Sequence, residues 1–110
     1  MNNKYEQISG KIAEHIRLTL EYVSGVTQDS FENNRMIQDA CIFNVLQVGE
    51  LAARAIEYGI DQEHPEIMWR QMRGMRNRIV HDYEGVRLSI VWDTIHEDFP
   101  ALLKLLEEHR

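Results

Sequence analysis

The stretch Met36-Ile37-Gln38-Asp39-Ala40-Cys41-Ile42-Phe43-Asn44-Val45-Leu46-Gln47-Val48-Gly49-Glu50-Leu51-Ala52-Ala53-Arg54-Ala55-Ile56 decides the fold. Its apolar residues recur at helical rather than alternating intervals, and they cover much of the helical circumference. No proline interrupts it, and Gly59 follows as a natural stop. The spacing predicts one long helix over about 34–58. A helix apolar on so many sides has to be covered on more than one of them, and in a chain of 110 residues some of that cover can come from a second copy.

Upstream, Tyr5, Ile8, Ile12, Ile16, Leu20 and Val23 form one apolar stripe, which predicts a helix over about 5–23, with Gly25 as its stop. Thr27-Gln28-Asp29-Ser30 then offers several capping side chains, and a short turn through Phe31 to Asn33 is expected before the long helix. Downstream, residues 61–65 read as a polar connection, and a third helix is expected over about 66–84, ended by Gly85. The last helical stretch runs over about 88–108. Pro100 lies inside it and predicts a kink or break near Asp98 and Phe99, with Asp98 capping a new helix. No segment alternates like a strand, and no internal repeat is visible. The expectation is a single all-α domain over residues 1–110, a bundle of four to five helices.

Composition narrows the function classes. No apolar run reaches the roughly 18 residues that a membrane span needs, so a soluble cytoplasmic protein with no membrane partner is expected. Cys41 is the single cysteine; it forms no zinc cluster and, among Ala40, Ile42 and Phe43, reads as a buried structural thiol. The net charge of −6 argues against a chain that binds nucleic acid simply by being basic. The charges are unevenly spread, however. Residues 1–67 carry eleven Asp and Glu against five Lys and Arg, whereas from Arg70 to Arg87 five arginines face only Asp82 and Glu84. All five are Arg, which favours planar, bidentate contact with phosphate or carboxylate.

On a helical wheel, Met68, Met72, Met75, Ile79 and Val80 share one apolar sector, and Arg76 and Tyr83 fall inside it. Arg70, Arg73, Asn77 and His81 form a separate polar stripe. Arg76 is thus directed toward packing, where its permanent charge has to be met by an anion, a carbonyl or a partner surface. Arg76 and His81 lie about 140° apart around an ideal helix and roughly 7.5 Å along it, so they diverge unless a widened turn, a frayed end or a second chain brings them together. Brought together, they suit RNA cleavage without a metal. A neutral His accepts a proton from the ribose 2′-hydroxyl or donates one to the leaving oxygen, and Arg stabilises the charge building on the phosphate. Asn77 can hold a phosphate or orient the Arg, and Tyr83 offers a hydroxyl.

The pattern of Arg76, polar Asn77, His81 and Tyr83, in the run Arg76-Asn77-Arg78-Ile79-Val80-His81-Asp82-Tyr83, resembles the signature of HEPN-domain ribonucleases, and the HepT toxin branch in particular. The likeness extends from about Phe31 to Leu106 through Gln38-Asp39-Ala40, Gly49-Glu50, Trp69, Val91-Trp92 and Phe99-Pro100. It implies catalytic roles for Arg76 and His81 and makes Tyr83 the motif tyrosine; from the residues themselves, Asn77, Tyr83, Arg73, Arg70 and Glu50 are expected to support the site or bind RNA. It further implies a homodimer whose two motifs share one cleft, and a toxin of a type VII-like toxin–antitoxin pair. The partner antitoxin would be a minimal nucleotidyltransferase of the MntA type that transfers AMP to Tyr83. AMP there would set bulk and a negative phosphodiester where substrate phosphate binds. No cofactor is implied.

Two other function classes fit the same residues. One is a non-catalytic helical subunit of a nucleotidyltransferase, with Arg76, His81 and Tyr83 as its docking or nucleotide-binding surface. The other is a purely structural dimeric bundle. Glu50, on an otherwise apolar stretch, reads as the partner of an arginine such as Arg76 or Arg54. Asp93 and His96 have ligand spacing on the last helix, but no third metal ligand is evident. His15, His64 and His109 read as incidental, and Trp69 and Trp92 as core.

Overall fold

The computed structural model describes residues 3–81 and 87–109, with the side chains of Val80 and His81 outside that description. The described residues form helices and no strand. Helix α1, Lys4–Tyr22, buries Tyr5, Ile8, Ile12 and Ile16 along the expected stripe. Gly25, at φ 75°, turns the chain. The Thr27 side chain then accepts from the Ser30 N–H and caps α2, Gln28–Glu32. Where a plain turn was expected there is a helical turn, because Phe31 is fully buried and draws the segment onto the core.

Helix α3, Arg35–Glu57, starts at Asn34, whose side chain accepts from the Ile37 N–H. It is the central rod, with α1 against one side and α5 against another. Most of the wide apolar surface is therefore covered within one chain. Met36 and Phe43 remain outside that cover, 81% and 55% exposed. A polar pin joins α1 to α3. Asn44 donates to the Ala40 carbonyl, which leaves its Oδ1 to accept from His15 Nδ1 at 2.7 Å. His15 is thus a structural donor rather than an incidental side chain.

Gly59, at φ 75°, takes the left-handed conformation that ends α3. The supposed polar connection contains a further turn, α4, Ile60–Glu63, because Ile60 is fully buried. Helix α5, Trp69–His81, begins three residues later than the spacing suggested. Tight turns occupy the chain from His64 to Ile67, and the buried Trp69 indole donates to the His64 carbonyl at 2.9 Å. Met68 precedes the helix and is 48% exposed, so it does not join the apolar sector. Near this turn the Tyr5 ring stacks on His64 at 3.6 Å, and both His64 and His109 approach Glu66. That cluster ties the start of α1, the turn before α5 and the chain's end together.

After α6, Leu88–Asp93, the rod continues without a break through a π-helical turn, Thr94–Asp98, into α7, Phe99–Glu108. The kink or break expected near Asp98 and Phe99 takes the form of this wider turn, and the Asp98 side chain makes no capping bond. Pro100 lacks an N–H and crowds the carbonyl four residues back, and a wider turn just upstream makes the room. Phe99, Leu102 and Leu106 pack inward from α7.

Helices α3 and α5 approach closely at Gly49. A Cβ built there would lie 2.2 Å from the Arg76 Cβ and 3.0 Å from the Met72 carbonyl oxygen. Gly49→Ala should therefore force α3 and α5 apart and cost ~1–3 kcal/mol. Gly10, in mid-α1 with open space where its Cβ would be, should gain about 0.5–1 kcal/mol on change to Ala. Chemical denaturation of both variants checks this; a Gly49→Ala chain as stable as the parent contradicts the close approach.

Candidate functional site

The α3–α5 seam places Arg76. Met72 and Arg76 stand one turn apart on the side of α5 that meets Gly49, and Met72, Met75 and Ile79 are buried as the wheel required. Arg76 therefore leaves the helix at the seam rather than into open water, and its side chain is 24% exposed. The guanidinium is met on all three nitrogens. Nε and Nη2 donate to Asn77 Oδ1 at 2.9 and 2.6 Å, and Nη1 donates to Glu50 Oε1 at 3.0 Å.

Glu50 thus partners Arg76 and not Arg54, one of the two pairings the sequence allowed. Its place follows from Gly49: where the helices touch backbone to backbone, the next residue on α3 rises beside the Arg76 side chain. Asn77 departs from the wheel. Its backbone position belongs to the polar stripe, yet its side chain reaches back and supplies one oxygen to the side edge of the guanidinium. A guanidinium has five N–H groups, so this arrangement fixes the plane of the ring of donors and still leaves N–H groups for an incoming anion.

Arg70 and Arg73 do not converge here. Arg70 is turned to Asp61, 3.3 Å away, and is largely exposed. Arg73 makes no hydrogen bond or ion pair with the Arg76 cluster among the described residues. His81 is the last residue of α5, and the helix stays α-helical from Arg76 to His81, so no widened turn lies between the two. Asp82 and Tyr83 lie outside the described residues. The one π-helical turn among the described residues falls instead at Thr94–Asp98. There the His96 ring lies 3.8 Å from Trp92, and its Nδ1 meets the Trp92 carbonyl. Trp92, expected in the core, is partly exposed and packs on Phe31. Among the described residues no three His, Cys, Asp or Glu side chains are grouped to hold a metal, and no helix is long and apolar enough to cross a membrane.

The sequence reading passed over a basic groove between α1 and α3, lined by Lys4, Lys11, Arg54 and Tyr58. The signal was present, since Lys4, Gln7 and Lys11 recur on one face of α1.

Residues 12–109 match the family model described as ribonuclease HepT-like. The chain therefore belongs to the HepT-like ribonuclease family. Over its full length it is 33% identical to a protein of Thermococcus cleftensis named probable ribonuclease HepT, covering 99% of that relative. It is also 31% identical over 87% of its length to a Methanocaldococcus jannaschii protein provisionally named RNase MJ1380, covering 87% of it. A third relative, from Caldanaerobacter subterraneus and provisionally named RNase TTE0752, is 27% identical over 88% of the chain and 86% of the relative. No solved structure matches the chain significantly.

Cys41 stands apart from this site. It is fully buried, and desolvation pushes its thiol up to about 11 from an ordinary value of 9. It should ignore thiol reagents in the native chain and react once the chain is unfolded. The raised value favours the neutral thiol in the folded state, so stability should be intact below the ordinary value and fall as pH rises from there toward about 11. Reagent kinetics with and without denaturant, and denaturation midpoints across that range, check both; rapid native labelling contradicts them.

Proposed function

We propose that the chain is an endoribonuclease that cleaves RNA without a metal, with Arg76 and His81 as its catalytic residues. The observation that carries this is the Arg76 guanidinium, held at the α3–α5 seam by Asn77 and Glu50 with N–H groups left to bind phosphate. Membership of the HepT-like family and the ribonuclease names of its relatives support it.

The chemistry is proton transfer beside a fixed charge. His81 takes the proton of a ribose 2′-hydroxyl, the freed oxygen attacks the neighbouring phosphorus, and the bond to the 5′-oxygen breaks. The leaving oxygen takes up a proton, and the products are a 2′,3′-cyclic phosphate and a 5′-hydroxyl. Arg76 binds the phosphate oxygens, whose negative charge grows in the transition state. Because α5 remains regular through His81, a straight helix points the two residues apart by about 140°. A homodimer resolves this, with Arg76 of one copy and His81 of the other lining one cleft.

In the same reading the enzyme is the toxin of a type VII-like pair. Its antitoxin is an MntA-type nucleotidyltransferase that transfers AMP to Tyr83, two residues beyond His81. The added phosphodiester competes for the arginine that substrate phosphate needs.

Purified chain, free of any partner, should cleave RNA in EDTA, and Arg76→Ala or His81→Ala should lower kcat by about 100-fold or more with the fold intact. Loss of all parent activity in EDTA, or a His81→Ala chain as active as the parent, rejects the proposal and favours a binding subunit. Intact mass after co-expression with the nucleotidyltransferase should rise by AMP units that map to Tyr83.

A further inference from the structure

A second cationic surface lies outside the Arg76 site. On α1, Lys4, Gln7, Ile8 and Lys11 share one face at offsets of three, four and seven; Leu51 and Arg54 on α3, with Tyr58 just past its end, do the same at three and seven. These seven residues line one groove of about 160 Å³ between the two helices. No Asp or Glu is among them. Grooves elsewhere pair their bases with acids: one holds Arg17 with Glu6 and Glu107, another Arg70 with Asp61.

That segregation is notable in an acidic chain. Residues 1–67 contain five Lys and Arg. Three of them, Lys4, Lys11 and Arg54, line this one groove. Lys11 and Arg54 are exposed. The Lys4 ammonium sits 3.9 Å from the centre of the Tyr58 ring, and that ring is 52% exposed. Cations beside an exposed aromatic ring suit a nucleic-acid strand, whose phosphates take the charges while a base lies on the ring. The groove is smaller than the 300–1,000 Å³ typical of a pocket enclosing a whole small ligand, so it fits a phosphate with the remainder of the strand outside.

Its position links it to the seam. Arg54 is one turn beyond Glu50 on the same side of α3, and Glu50 touches Arg76. About 6 Å of helix axis separates the two α3 residues, close to the spacing of successive phosphates in an extended strand. We propose that the groove formed by Lys11, Arg54, Lys4 and Tyr58 is an RNA-backbone site that holds the strand flanking the cleaved phosphate. The inference rests on the ribonuclease reading and extends it to a stretch of single-stranded substrate.

The test uses full-length protein and the double variant Lys11→Gln/Arg54→Gln, whose exposed positions leave the core untouched; circular dichroism verifies the fold. Binding of unstructured 2′-O-methyl RNA is followed by fluorescence anisotropy over a range of salt. Loss of two phosphate contacts should flatten the slope of log K against log salt by about 1.4. The preference for a long RNA over a dinucleotide, as the ratio of kcat/KM values, should fall on the order of tenfold. If parent and double variant share both slope and preference, the groove holds no RNA. If the parent neither binds nor cleaves RNA, the ribonuclease reading falls and this site with it.

Discussion

The structure depends on one contact: the absence of a side chain at Gly49. With no Cβ there, α3 and α5 approach until Arg76 lies against the α3 backbone, and any larger residue would collide with the Arg76 Cβ. Two consequences follow from this closeness. The buried methionines of α5 reach the core formed by α3, and Arg76 emerges at the edge of the seam instead of in bulk water. Packing and chemistry are therefore set by the same residue, and the adjacent Glu50 meets the charge that the packing brings in.

The Glu50 contact is an orienting one. Both side chains are partly exposed, so the pair contributes little to stability, at most about 1 kcal/mol. Its value lies in geometry. Together with Asn77 it holds a flexible side chain in one plane, which lowers the entropy lost when a phosphate binds. Any anion that engages Arg76 competes with the Glu50 carboxylate. In a chain of net charge −6, the proposed RNA contacts fall where cations gather locally, at Arg76 and along the α1–α3 groove.

Much of this was legible in the sequence, because periodicity reports burial. The stripe from Tyr5 to Ile16, the wide apolar surface of α3, the stop at Gly59 and the direction of Arg76 all follow from a period of 3.6 residues. The segments that eluded it are those where one tertiary contact outweighs local pattern. Phe31 and Ile60 are single buried anchors in polar surroundings, too short to show a period, and each draws in a helical turn. Pro100 announced a disturbance, but whether the helix would break or widen depended on the core that Phe99 and Leu102 had to reach. In the site, Glu50 was readable as a partner because a charge on an apolar stretch needs one. Asn77 was readable as the residue that orients the arginine from its place beside Arg76, but not from the wheel, which places backbones and set Asn77 on the separate polar stripe. The basic groove escaped because its residues come from two helices far apart in sequence.

The central claim is that Arg76, clamped by Asn77 and Glu50, is the group that binds substrate phosphate. Its Nε–H donates to Asn77 and should give a resolved signal in heteronuclear NMR spectra. The decisive measurement follows that signal while 2′-O-methyl RNA, which lacks the attacking hydroxyl, is added. If Arg76 receives the phosphate, the signal moves saturably, with the midpoint of RNA binding, and Glu50→Gln shifts that midpoint to lower RNA concentration by removing the competing charge. A signal that stays in place while RNA binding saturates contradicts the claim.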